Sequence, residues 1–155
     1  RVLLEQGALK RGDVSLQTIR AWLAAHPAQA QAVMDRNPSY VFFRKLAGGQ
    51  PIGAEGVPLT PRRSLAIDRR FLPLGVPVWL DTVRPAETAG EPDRPLRRLL
   101  VTQDTGGAIR GPVRGDVYWG AGPAAAAIAG RMQSLGRYWL LLPKAVAARD
   151  LSRPR

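Results

Sequence analysis

The stretch Gln103-Asp104-Thr105-Gly106-Gly107-Ala108-Ile109, followed by Gly115-Asp116-Val117-Tyr118-Trp119-Gly120, closes a run of strand-forming residues and opens the part of the chain richest in chemistry. Leu96 to Thr102 leads into it with the composition of a strand. Asp104 stands directly after that strand, and Gly106-Gly107 lets the backbone turn sharply and approach a ligand. Asp116 lies twelve residues further on, flanked by glycine and followed by Tyr118 and Trp119. Carboxylates, aromatics and glycines together are the materials of a sugar site. Aromatic faces stack on pyranose rings, and a carboxyl in apolar surroundings has its pKa raised and can act as a general acid. The same residues also suit plain turn capping, since Asp after a strand often closes a turn. Residue types alone leave both readings open.

Outward from this stretch the texture is of short strands cut by Gly and Pro. Ser64 to Ile67 and Val76 to Leu80 join Leu96 to Thr102 as strand candidates, with Thr82 to Arg94 a polar hairpin excursion. Pro123 opens an Ala-rich helix expected to reach Leu135 and to stop at Gly136 in the C′ position. Tyr138 to Leu142 reads as a buried strand with Trp139 in the core, and Ser152 to Arg155 as a frayed tail. The first 46 residues read differently, with Ala47 to Pro51 a loop or boundary. Ser15 can cap a helix carrying Leu16, Ile19, Trp22 and Leu23 on one face. His26-Pro27 ends it, Pro27 starts a second helix to Arg36, and Asn37-Pro38 stops that one. Tyr40 to Phe43 has strand propensity. The expected organisation is a helical segment over 1–46, a barrel over 47–145 and a tail over 146–155. The fold class is mainly β with helical decoration, a small barrel rather than an alternating βαβ sheet.

Composition narrows the chemistry. The 155 residues carry 23 Lys+Arg against 12 Asp+Glu, a net charge of +11, with 45 % hydrophobic residues, no cysteine and one histidine. This is enough chain and apolar content for a domain without a metal or disulfide staple. Zinc knuckles, thiol nucleophiles and multi-histidine metal sites are excluded, and a Ser-His-Asp triad has almost no raw material. Lone His26, before Pro27, reads as a capping or solvent-facing residue. No apolar run approaches the roughly 20 residues of a membrane span. The arginines, including Arg110 and Arg114 near the aspartates, read mostly as a solvated face. They lack the aromatic interleaving of a nucleic-acid surface.

Gln103 to Ile109, Gly115 to Gly120 and Arg137 to Pro143 resemble the C-terminal part of the membrane-bound lytic murein transglycosylase A family. Gln17 to Trp22, Asn37 to Phe43, Val57-Pro58-Leu59-Thr60, and Arg63 to Asp68 leading into Pro73-Leu74-Gly75 resemble it too. The resemblance runs in order over residues 1 to 143. It implies a double-psi β-barrel of the three-aspartate type, incomplete at its N-terminus, with Asp68, Asp104 and Asp116 at the three positions. It maps the catalytic acid/base to Asp116, with Asp104 and Asp68 shaping the cleft and its electrostatics. Thr60, Thr105, Gly106, Gly107 and Tyr118 are the expected substrate-binding residues, and Ser64 is a further possible hydroxyl donor.

The implied reaction is non-hydrolytic cleavage of the β-1,4 bond between N-acetylmuramic acid and N-acetylglucosamine, leaving a 1,6-anhydromuramoyl end. Ordinary glycosidases need two carboxyls. Here the substrate's own C6 hydroxyl is the nucleophile, so one carboxyl can donate to the glycosidic oxygen and then accept the hydroxyl proton. That demands a raised pKa at Asp116, from burial or from Asp104 nearby, and no cofactor or metal. The expected partner is the peptidoglycan glycan strand, with no nucleic acid. The expected setting is a periplasmic monomer, held at the outer membrane only through an anchor outside this chain. The family's preceding region supplies part of the barrel and the opposite wall of the cleft, so this chain alone is expected to be weakly active or inactive. Two other readings stay open: a non-catalytic peptidoglycan-binding module, and a basic nucleic-acid-binding barrel.

Overall fold

Ser15 starts a helix as its neighbours suggest, and it does so with a reciprocal cap. The Thr18 N–H donates to Ser15 Oγ (3.1 Å) while the Ser15 N–H donates to Thr18 Oγ1 (2.9 Å). Such a cap contributes about 1 kcal/mol to a helix. The computed structural model describes residues 1–39, 42, 49–88 and 90–151. The chain divides into two compact units, Arg1–Lys45 and Leu46–Arg155.

The first unit holds α1 (Val2–Glu5), a 3-10 turn (Arg11–Asp13), α2 (Leu16–Ala25) and α3 (Pro27–Asp35). His26, with φ −126° and ψ 58°, ends α2 and opens α3 in one residue, and Pro27 takes the first helical position of α3. This is the expected consequence of a residue before proline leaving the α region. The His26 ring stacks on Trp22 at 4.4 Å, and its Nδ1 donates to the Trp22 carbonyl (2.9 Å). His26 therefore closes a helix end. Neither α2 nor α3 has a fully buried residue. Leu3, Val14, Ile19, Leu23, Val33 and Met34 instead line an open hollow of about 900 Å³. The strand expected over Tyr40 to Phe43 lies, Phe42 apart, outside the described residues.

The second unit is a mainly β sheet of five strands in the order β4-β1-β3-β2-β5. Its elements are β1 (Ser64–Ile67), β2 (Pro77–Arg84), β3 (Arg94–Thr105), β4 (Gly115–Val117), α4 (Pro123–Ala129), β5 (Gly136–Leu140) and α5 (Lys144–Leu151). β1 lies between β3, which it pairs in parallel, and β4, which it pairs antiparallel. A strand flanked on both sides reads as a nearly continuous buried run, and Ser64, Leu65 and Ile67 are all at or below 2 % exposure. Leu65, Ile67, Leu72, Val78 and Leu100 form one core cluster, and Leu96, Trp119 and Ile128 a second.

Several sequence expectations shift here. The hairpin excursion is shorter than Thr82 to Arg94, because β2 and β3 stay paired as far as Arg84 and Arg94. Cross-strand pairing overrides the weak strand preference of Arg and Pro at these positions. Its tip is also tied down: the Arg131 guanidinium donates to the carbonyls of Ala86, Glu87 and Ala127. The Ala-rich helix stops at Gly130, not Gly136, because Gly136 pairs with Thr82 to begin β5. β5 is an edge strand, so Trp139, expected in the core, is 48 % exposed beside its cross-strand partner Trp79. Only Tyr138 on β5 packs on the core, and burial pushes its phenol pKa up. Residues 144–151 form a helix where the tail was expected to begin at 146.

Candidate active site

The three aspartates are placed around the four-residue strand β1. Ala66 is the pivot. It is paired with Asp104 on β3 and with Asp116 on β4, so the row Asp104–Ala66–Asp116 crosses the sheet. Directly opposed residues project to the same face, so two carboxylates flank one methyl group, with about 10 Å between the outer Cα atoms.

A bulge makes this row possible. On β3 the pairing runs Leu65 to Thr102 and then Ala66 to Asp104, leaving Gln103 without a partner. Unbroken pairing would set Asp104 opposite Ile67, on the core face. One extra residue moves a side chain to the other side of the sheet. Gln103 is held in its bulge by local bonds. The Ser64 hydroxyl donates to Gln103 Oε1 (2.6 Å), and the Gln103 carbonyl accepts from the Glu55 N–H (3.1 Å). Gly53 lies so close that a Cβ there would be 2.4 Å from the Gln103 carbonyl oxygen, so only glycine lets this turn pack. The turn's Ala54 N–H donates to Asp104 Oδ1 (3.0 Å), leaving Asp104 half-buried as an acceptor for backbone.

Asp116 sits differently. Its side chain is 51 % exposed and is gripped by Arg114, with Nε 2.9 Å from Oδ1 and Nη2 3.5 Å from Oδ2. Two residues apart on an extended segment, Arg114 and Asp116 project on one side. The carboxylate's hydrogen bond and charge hold the Arg114 pKa above its ordinary value. Asp116 lines a cleft of about 530 Å³ whose far wall is Met132, Gln133, Ser134 and Leu135. Asp104 does not line that cleft. The sequence reading asked for a carboxyl that is either desolvated or beside a second negative charge. This chain presents a half-exposed carboxylate beside a cation.

Asp68 follows β1 directly and is a third case, 4 % exposed. Its Oδ2 accepts from Arg70 Nη2 (2.6 Å) and from the Gly111 N–H (2.9 Å), while Oδ1 accepts from the Arg70 N–H (3.1 Å) and Nε (3.0 Å). Arg70 first, then the Gly111 amide, holds its pKa well below the usual carboxylate range. The bond to Gly111 ties the end of β1 to the segment that leads into Arg114 and Asp116.

The expected substrate-binding residues group by where they meet β1. The Tyr118 N–H donates to the Ser64 carbonyl (3.0 Å), and the Tyr118 carbonyl accepts from the Arg62 N–H (2.6 Å). Arg62 has φ +63°, an unusual value for a residue with a side chain, and its guanidinium lies 5.8 Å from the Trp119 ring centre. Tyr118 is half-buried and Trp119 is core, both just past the end of β4, and it is Trp119 that lines the cleft holding Asp116. Thr60 is exposed in the same turn, its N–H given to Ser64 Oγ (2.8 Å). Ser64 is fully buried with its hydroxyl engaged, so it cannot reach a sugar. Thr105, half-buried, pairs with Ile67 at the other end of β1. Gly106 opens a turn closed by the Ile109 N–H on its carbonyl (3.0 Å), and a Cβ there would press on Ile109 Cδ1 at 3.0 Å. Gly107 opens to free space. None of Thr60, Thr105, Gly106, Gly107 and Tyr118 lines the cleft that holds Asp116. Among the described residues, no group of three or more His, Cys, Asp or Glu could hold a metal ion.

Sequence reasoning read the arginines mostly as a solvated face and so missed the pairing of Arg114 with Asp116 and of Arg70 with Asp68, and it gave Arg131 no role. The Arg-Gly-Asp spacing at 114–116 was the available signal, because alternate strand residues share a face.

Comparison with known proteins decides the family. Residues 63–142 match the 3D domain family, and residues 1–44 match the MltA specific insert domain. The chain belongs to the membrane-bound lytic murein transglycosylase A family. It is 36 % identical over 142 residues to the Vibrio cholerae membrane-bound lytic murein transglycosylase A, covering 91 % of this chain and 38 % of that protein. The structure of Escherichia coli MltA with bound chitohexaose is 35 % identical with a TM-score of 0.81, over 90 % of this chain and 42 % of that one. A membrane-bound lytic murein transglycosylase from Agrobacterium tumefaciens is 39 % identical with a TM-score of 0.78, over 96 % and 41 %. The chain thus spans about two fifths of the length of the relatives it matches. None of its described helices is long and apolar enough to cross a membrane.

Proposed function

We propose that this chain carries the catalytic aspartate of a peptidoglycan lytic transglycosylase. Asp116 protonates the glycosidic oxygen between N-acetylmuramic acid and N-acetylglucosamine as the C1–O bond breaks. The C6 hydroxyl of the muramoyl residue closes on C1, and its proton returns to Asp116, leaving a 1,6-anhydro end. One carboxyl serves as acid and then base, so the second carboxyl of an ordinary glycosidase is not needed. The observation that carries the reading is the place of Asp116, on an edge strand and at the wall of an open cleft, in a chain of this family.

In this reading Asp104 fixes the turn over the β3 bulge, and Asp68 fixes the segment leading to Asp116. Thr60, Tyr118, Thr105, Gly106 and Gly107 border the path of the glycan on either side of β1. The sheet belongs to a double-psi barrel of the three-aspartate type. A further region, such as the relatives carry beyond the matched part, supplies the opposite wall and the desolvation Asp116 lacks here. The setting is the periplasm, at the outer membrane, and the partner is the glycan strand, consistent with the chitohexaose bound to the E. coli relative.

The test is release of anhydromuropeptides from purified sacculi. It compares this chain alone, the chain joined to the N-terminal region of the E. coli relative, and the joined form carrying Asp116→Asn. The joined form should turn over, the isolated chain weakly or not at all, and Asp116→Asn not at all. Anhydro product at an unchanged rate from Asp116→Asn refutes the assignment.

A further inference from the structure

Arg114 and Asp116 are the charged residues that line the cleft. The rest of its wall is apolar or neutral: Val113, Val117, Trp119, Met132 and Leu135, with Gln133 and Ser134 as the polar side chains. The two charges face each other at hydrogen-bond distance, so the acid proposed above rests as one half of an ion pair. Both Asp116 oxygens accept from Arg114, so the pair competes with any hydrogen bond between that carboxyl and a glycosidic oxygen. Proton donation therefore needs Arg114 to find another anion. Among the described residues, nothing else lining the cleft offers one.

We propose that Arg114 is a binding residue for a carboxylate on the substrate, and that its exchange from Asp116 to that carboxylate frees the Asp116 oxygens to meet the glycosidic bond. The inference rests on the transglycosylase reading of the same cleft. The ligand it selects is a glycan bearing carboxylates, as muramoyl residues and their stem peptides do, over a neutral oligosaccharide of the same backbone. A guanidinium suits this task, since its fork of donors matches one carboxylate as well as another. Exchange is also inexpensive here. Both partners are about half exposed, at 55 % and 51 %, and exposed pairs contribute little in water. The balance is simple. Arg114 keeps its proton and changes acceptor, and Asp116 takes one proton from solvent and passes it to the glycosidic oxygen.

The test is a titration of the chain with two ligands, chitohexaose and a disaccharide muropeptide with its peptide carboxylates intact, followed through the Arg114 Nε NMR signal and by calorimetry. The muropeptide should move the Arg114 signal, and chitohexaose should leave it in place. Arg114→Gln should weaken the muropeptide about tenfold while leaving chitohexaose unchanged, and Arg114→Lys should restore part of the difference. Equal loss of both ligands in Arg114→Gln, an Arg114 signal moved alike by both, or no response to the muropeptide overturns the proposal. Its failure is separable from that of the transglycosylase reading, which depends on anhydro product from the Asp116→Asn form and not on ligand charge.

Discussion

Asp68 and Asp116 are both paired with an arginine two residues away, and the pairs do opposite things. Around Asp68 the carboxylate is buried, accepts from Arg70 and from the Gly111 amide, and is locked in its charged form. Around Asp116 the carboxylate is half open to water and meets a single guanidinium at the lip of a cleft. Identical chemistry, set at two depths, yields an anchor in one place and an exchangeable pair in the other. Solvation separates them: a buried charge with every lone pair engaged cannot be reused, whereas an exposed one can.

The sharpest way to break this comparison is to neutralise each aspartate and read activity and stability separately. Asp116→Asn should lower anhydromuropeptide release by at least 100-fold in the joined form, as expected for loss of a general acid. Its thermal midpoint should hardly move. Asp68→Asn should do the reverse. It leaves Arg70 and the Gly111 amide with a weaker acceptor, so the midpoint should fall by several degrees, with turnover falling only as far as the 106–114 segment loosens. If Asp68→Asn keeps its midpoint and loses turnover as Asp116→Asn does, the division between anchor and acid is wrong.

The same contrast shows how far the sequence could be read. Strands β1, β2, β3 and β5, the capped helix at Ser15 and the two stretches with Asp104 and Asp116 were legible, because each rests on neighbours within a few residues, whereas the three-residue β4 was not assigned. The row Asp104–Ala66–Asp116 was not. It depends on a bulge at Gln103 and on the register of strands more than 30 residues apart. The local signal at Gly106-Gly107 was legible as a turn, which the Ile109 N–H closes on the Gly106 carbonyl (3.0 Å), but the packing of Ile109 against Gly106 was not. Trp139 was misplaced because nothing near it in sequence says that its strand ends the sheet.

A second prediction concerns acid. Asp68 has a lowered pKa in the folded chain, so its ionisation favours the folded state. That stability is present in full above about pH 4 and is lost progressively as pH falls below it toward the folded value. Denaturation midpoints of the wild type should therefore drop between about pH 4 and pH 2 more steeply than those of Asp68→Asn. Parallel curves for the two proteins would show that the Arg70 and Gly111 contacts do not discriminate between the protonated and ionised forms.

The smallest effect belongs to the exposed pair, and its smallness is the point. An ion pair at half exposure gains little over two hydrated charges and costs side-chain entropy, so Arg114→Gln should change unfolding free energy by no more than about 0.5 kcal/mol. Raising the salt concentration to about 0.5 M should remove even that, since exposed pairs are screened over a few ångströms at such ionic strength. The measurement is a urea unfolding curve for wild type and variant at two salt concentrations. A loss above 1 kcal/mol that persists in salt would mean that Arg114 is an anchor like Arg70. The carboxylate exchange would then cost more than a substrate carboxylate could repay, and the two aspartates would differ in depth but not in kind.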